Sequence, residues 1–163
     1  MNTMDGLIEI ISDLQRINKE RQEYYEGMLN REHFLQDELT EMINNKINEC
    51  RRNIEVLTGL SMSFGISFQS VRMVPGKIFL AWSEAKNEWR NNFRQSVLNE
   101  CSYGETAALE AYRTALVSES LHHVEARRIL MDQKFLLQIF TEQVNRYLDL
   151  QALSFQPLLY GNY

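Results

Sequence analysis

Proline and cysteine occur twice each, histidine three times, and seven glycines are spread thinly over 163 residues. Turn-rich all-β architectures use more proline and glycine than this, so the chain is expected to be all-α. Cys50 and Cys101 lie far apart, each on an apolar helical stripe, which fits buried, reduced thiols better than a secreted disulfide framework; a redox pair is the alternative. A basic block interleaved with aromatics is missing, and 22 acidic residues outweigh 17 basic ones for a net charge of −5, so nucleic acid is not an expected partner. No apolar run approaches the roughly 20 residues that span a bilayer. The opening MNTMDGLIEIISDLQ carries acids where a targeting signal carries bases. These absences imply no membrane partner and a cytoplasmic location. Also missing are a glycine-rich phosphate loop, a Cys-x-x-Cys pair and a serine elbow with His and Asp partners.

What the chain does have is apolar periodicity near 3.6, at a length that suits one domain. A first helix is expected over Met4–Leu29, turning Met4, Leu7, Ile11, Leu14, Asn18, Arg21, Tyr25 and Met28 inward. Asn30 is a candidate cap for a second helix with Glu32 in its first turn, reaching about Leu57 and stopping at Gly59. Its expected core stripe is Leu39, Ile43, Ile47, Cys50, Ile54 and Leu57. The segment Gly59–Pro75 has no helical period and reads as one long crossover. A short extra helix follows from Gly76, with Ile78, Trp82, Ala85 and Trp89, and breaks at Asn91 and Asn92, where Asn92 and Gln95 resemble a capping box. The third long helix is expected from about Phe93 to Val117. The fourth, capped by Ser118 or Ser120, carries Ala126, Leu130, Gln133, Leu137, Phe140, Val144 and Tyr147. The expected organisation is one ferritin-like four-helix-bundle domain over 1–153, with a single long crossover connection and a short extra helix before the third long helix, then an apolar tail over 154–163 that docks on the body or on a neighbouring subunit.

One residue breaks the third helix's apolar stripe of Leu98, Cys101, Glu105, Ala108, Tyr112 and Ala115: a carboxylate stands where the core expects an oily side chain. Asn18, Arg21 and Gln133 occupy equivalent core positions near the middle of their helices, a level at which antiparallel helices meet. An Arg21–Glu105 ion pair completed by Asn18 and Gln133, with Tyr25 and Tyr112 adding hydroxyls, forms a buried polar layer that fixes register. Gly104 beside it implies a close helix or ring. The alternative is a degenerate or subunit-shared metal site using Glu105, with iron or another divalent ion as cofactor. A di-iron bundle needs a Glu from each of two helices and a Glu-x-x-His from each of the others. Here Glu119 and His122 form one such motif, but at a helix end, and His33 has no partner glutamate. Glu20, Glu23 and Glu100 fall off the inward stripes. His122 and His123 read as surface residues. The aromatics Tyr24, Tyr25, Trp82, Trp89, Tyr103 and Tyr112 recur at helical spacing, as packing residues do; a bundle holding a small apolar ligand is a third, weaker reading.

INKERQEYYEGM (Ile17–Met28), GKIFLAW (Gly76–Trp82) and LNECSYGETAALEAYRTAL (Leu98–Leu116) together resemble the bacterial family catalogued as domain of unknown function 2383, a ferritin-like group; the ordered set covers most of residues 5 to 150. Gly104, Glu105, Ala107, Ala108, Ala111 and Tyr112 are its most specific part. Asn18, Glu20, Arg21 and Tyr25 match an Asn, an acid, an Arg and a Tyr in that family's first helix. Ser102 departs from a Glu often found there, and Tyr24 from a small residue; the first departure removes a carboxylate and weakens an inherited metal site. The resemblance implies a ferritin-like bundle with no established activity. The expectation is thus a non-catalytic bundle, linked to a stress response, acting through its surface or its assembly, most simply as a homodimer with no cofactor.

Overall fold

The computed structural model describes residues 3–32, 35, 37–65, 74–92 and 97–160, with side chains over 4–32, 35, 37–65, 74–88 and 97–150. Among these residues all regular structure is helical: α1 (Thr3–Arg31), α2 (Asp37–Ser63), α3 (Lys77–Asn92), α4 (Val97–Leu116) and α5 (Val124–Tyr160). None of these helices is long and apolar enough to cross a membrane.

Several helix ends differ from the sequence expectation, each for a local reason. Asn30 does not cap α2, because α1 runs on to Arg31 and the Glu32 amide still bonds the Met28 carbonyl at 3.0 Å. Asp37 and Glu38 supply the acidic first turn of α2 instead. Gly59 does not end α2; buried Leu60 and Ser61 hold the next turn on the core, which offsets a mid-helix glycine's cost of about 1 kcal/mol. The stop comes at Gly65, whose φ of 78° gives the left-handed turn that ends helices, with its amide on Met62 O. At α5 the capping group is neither Ser118 nor Ser120 but His123, whose Nδ1 accepts the Ala126 amide at 3.2 Å. Ser118 Oγ instead accepts the Ser120 amide within the preceding turn. α5 continues through Leu153 to Tyr160, so the segment expected as a tail is helical over 154–160. The apolar side chains of 154–163, residues 66–73 of the Gly59–Pro75 crossover, the Phe93 start of the third long helix, the Asn92–Gln95 capping box, the Trp89 side chain and His33 lie wholly or partly outside the described residues.

Side-chain pairs fix the directions of the helices. Asn53 meets Asn18 and Thr58 meets Gln15, so α2 runs antiparallel to α1. Glu105 meets Arg21 and Tyr112 meets Asn18, so α4 is antiparallel to α1 too. Gln133 meets Tyr112 and Asn145 meets Ser102, which makes α5 antiparallel to α4. Helices α2 and α4 are therefore parallel, and the chain between them must travel back along the bundle. That return is made by α3, which pairs Gly76 and Phe79 with Asp13 and Lys86 with Glu20 and so runs parallel to α1.

The start of α3 is set by α1. Asp13 Oδ1 accepts the Gly76 amide at 2.8 Å and Oδ2 accepts the Phe79 amide at 3.2 Å, satisfying two of the four orphan N–H groups of a helix N-terminus. A Cβ at Gly76 would collide with Glu9 Cγ and with Asp13 Oδ2, so a side chain there would push the Glu9 and Asp13 side chains aside and disturb the cap. Because α1 packs against α2, α3 and α4, it buries polar residues on several faces, among them Ser12, Asp13, Gln15, Asn18, Arg21 and Gln22. Two apolar clusters flank its middle: a larger one around Ile11, Leu14, Leu57, Tyr112 and Leu130, and a smaller one around Tyr25, Met28, Ile43, Cys101 and Val144.

Candidate functional site: a buried polar layer

Between those two clusters lies a layer to which α1, α2, α4 and α5 all contribute. On α4 the stripe Leu98, Cys101, Glu105, Ala108, Tyr112, Ala115 is buried throughout, as the period requires, and Glu105 is 0% exposed. Arg21 Nη2 donates to both of its oxygens, at 2.9 Å each. The Tyr25 hydroxyl donates to Oε1, and Lys46 Nζ stands 3.5 Å from Oε2. Nη1 of Arg21 donates to Asn18 Oδ1 at 2.8 Å, which also accepts from Asn53 Nδ2 at 3.0 Å. Asn18 Nδ2 donates to the Leu14 carbonyl and to the Tyr112 hydroxyl; the Tyr112 hydroxyl donates to Gln133 Oε1 at 2.5 Å, and Gln133 Nε2 donates to the Asn53 carbonyl at 3.4 Å. All six residues expected in the layer, Asn18, Arg21, Tyr25, Glu105, Tyr112 and Gln133, meet in one network.

Two members were not expected. Lys46 is 2% exposed, pairs with Glu49 as well as Glu105, and sits 4.4 Å from the centroid of the Phe140 ring. Asn53 is buried as well. Both lie on the strict three-four alternation Leu39, Ile43, Lys46, Cys50, Asn53, Leu57, Leu60; the expected stripe had taken the oilier neighbours Ile47 and Ile54. With Lys46 and Glu49 included, the layer carries two cations and two carboxylates, so it is electrically closed.

Electrostatics follow from these contacts. Burial alone would push the Glu105 carboxyl up, but the charges of Arg21 and Lys46 and the Tyr25 hydrogen bond hold it below its ordinary 4.5. For Arg21, burial disfavours the cation, yet the Glu105 carboxylate, by its charge and its hydrogen bonds, overcomes this and holds it firmly protonated. Burial, then the Glu105 charge, pushes the Tyr25 hydroxyl well up, and burial does the same for Tyr112. The Cys50 thiol is pushed up to about 11 and Cys101 higher still, chiefly by burial, so both remain thiols. Glu105 is held ionised between two cations and a tyrosine hydroxyl, and the two tyrosines donate to acceptors already in place.

The other candidates fall elsewhere. Glu119 and His122 are exposed in the connection between α4 and α5. Glu20 faces Lys86, Glu23 faces Lys19, and Glu100 accepts from the Tyr24 hydroxyl and from Arg31. Among the described residues, no three His, Cys, Asp or Glu side chains gather as a metal ion would need. Gly104 has neither a close helix nor a ring against it: a Cβ there would meet nothing within 4 Å. Comparison with protein-family models, with curated proteins and with solved structures finds no match to this chain.

Proposed function

We propose that this chain is a cytoplasmic, ferritin-like helical bundle of the bacterial kind it resembles, without a catalytic centre, that works through its surface as an assembly, most simply a homodimer. The observation that carries this reading is the occupation of Glu105: a guanidinium takes both oxygens, a tyrosine hydroxyl takes one of them, and an ammonium stands beside the other. A divalent ion bound there would have two cations as immediate neighbours and would have to displace them, which is the opposite of a carboxylate-rich iron site. The layer instead ties four helices to one level. A buried, fully partnered polar group tolerates only the register that satisfies it. The return of the chain through α3 between two parallel helices suits a ferritin-like bundle. Buried free thiols suit a reducing compartment. Met131, Phe135, Leu136 and Ile139 leave apolar surface exposed along α5, which supports association.

The test is elemental analysis of the untagged protein after incubation with ferrous iron, manganese or zinc and desalting, with Glu105→Ala in parallel. The expected result is no stoichiometric metal in either protein. Near-stoichiometric metal that disappears in the variant overturns the reading and makes Glu105 a ligand. Light scattering of the full chain is expected to give a mass above one protomer; a monomer's mass would remove the assembly from the proposal.

A further inference from the structure

The side of α5 turned away from the core is not uniformly polar. With 3.6 residues per turn, Met131, Phe135 and Ile139 fall on one line, opposite the face on which Ala126, Gln133, Leu137 and Val144 are buried. They are 53%, 59% and 38% exposed. Single exposed apolar residues are ordinary, but three on successive turns form a patch, which Leu136 and Ile139 continue into a groove of about 390 Å³ between α2 and α5. A patch of this kind marks a contact surface.

The residues around the patch identify what covers it. Counted outward from Phe135, the exposed line mirrors itself: Met131 and Ile139 each stand four residues away, and Arg128 and Glu142 each stand seven away. Beyond them, Glu125 and Arg146 stand ten and eleven away, again with opposite charges. All four charged residues are exposed. Two copies of α5 laid antiparallel about a two-fold axis at Phe135 would bring Met131 onto Ile139 of the second copy and Arg128 onto Glu142 of the second copy. The axis repeats each contact, and Glu125 falls near Arg146 of the second copy in the same way. Laid parallel, the same helices would set Arg128 on Arg128 and Glu142 on Glu142, like charges on both flanks of the patch. Self-complementarity of this kind is what an isologous contact requires, and it selects a second copy of this chain as the occupant. Arg128 already pairs with Glu125 and Asp132 on its own helix, so the charges set direction more than strength.

We propose that two copies of this chain associate through the outer face of α5, packed antiparallel across Phe135, with Met131 and Ile139 filling the contact and the Arg128–Glu142 pairs fixing its direction. This rests on the reading of the protein as an assembly and names the surface through which it assembles.

The experiment is light scattering and sedimentation of the full chain and its variants. Phe135→Glu is expected to halve the mass of the parent assembly, while helical circular dichroism and the thermal midpoint stay at the parent's values because the side chain lies outside the core. Met131→Glu reads the same contact should the first variant fold poorly. Arg128→Glu is expected to weaken association about tenfold by opposing Glu142 of the second copy, and adding Glu142→Arg to it is expected to restore the parent's affinity. Direction is read by oxidative cross-linking: a mixture of Met131→Cys and Ile139→Cys chains is expected to link, and Met131→Cys alone is not, since its two copies stand roughly 12 Å apart along the axis. A parent with the mass of one protomer would overturn both this proposal and the assembly it rests on. A parent assembly whose mass is unchanged in folded Phe135→Glu and Met131→Glu would overturn the α5 contact alone and leave the assembly standing. Failure of the charge exchange to restore association, or cross-linking of Met131→Cys with itself in preference to the mixture, would overturn the antiparallel packing.

Discussion

Glu105 and Asp13 are both carboxylates sealed inside a helical protein, and they are held in opposite ways. Glu105 lies in the middle of the bundle between two cations and a tyrosine hydroxyl; Asp13 lies near one end and holds two backbone amides at the start of α3. Cations favour the ionised form strongly enough to outweigh burial, so Glu105 is held below its ordinary value. The two amides favour ionised Asp13 as well, but burial exceeds them and its carboxyl is raised above 3.8. The contrast separates two uses of one functional group: Glu105 joins α1 and α2 to its own helix α4 by charge, while Asp13 positions a single helix by capping it.

Removing each group should reveal that difference in size. Glu105→Ala strands Arg21 in the core, takes from Lys46 one of its two carboxylates, and is expected to cost about 3–5 kcal/mol in urea denaturation. Glu105→Gln keeps the shape and should lose clearly less. Equal losses would mean that charge, not shape or packing, is all that Glu105 contributes. At the other site, Gly76→Ala drives a methyl into Glu9 and Asp13 and should cost about 1–3 kcal/mol, the usual range for overpacking. Asp13→Ala removes the cap and should cost about 0.5–2 kcal/mol. A loss at Asp13 as large as that at Glu105 would erase the distinction.

Acid titration gives a subtler test because the two signs differ. Glu105, lowered in the folded state, contributes stability that is complete above its ordinary 4.5 and is lost as pH falls through the lowered folded value. Asp13, raised in the folded state, contributes most below 3.8 and loses that contribution as pH rises through its raised folded value. Denaturation from acid to neutral pH should therefore show the stability gap between the parent and Glu105→Gln widening with pH, and the gap to Asp13→Asn narrowing. Gaps that move in the same direction would refute the assignment. The smallest effect expected is none: Cys50 and Cys101, buried beside the Glu105 layer with raised thiol values, should resist a thiol-reactive dye in the native protein and react on unfolding. Rapid native labelling would show that the layer opens.

Much of the Glu105 site was legible in one dimension. A polar residue at a position that the three-four alternation assigns to the core must find a partner there, and mid-helix positions of antiparallel neighbours share a level. That reasoning brought Asn18, Arg21, Glu105 and Gln133 together before any coordinates. It missed Lys46 and Asn53 because apolar neighbours one residue along, Ile47 and Ile54, drew the stripe aside. The strict alternation was present in α2 and pointed to both.

Nothing comparable announced Asp13. It sits off the main stripe of α1, and its partners are amides at Gly76 and Phe79, groups that every residue carries and no side-chain pattern marks. The sequence by itself determined the helices, their inward faces and the level at which buried polar residues collect, because those follow from periodicity and from the cost of burying an unpaired polar group. Only the tertiary structure decided that α3 is the return run and that Asp13 sets its start, because those depend on which helix lies against which.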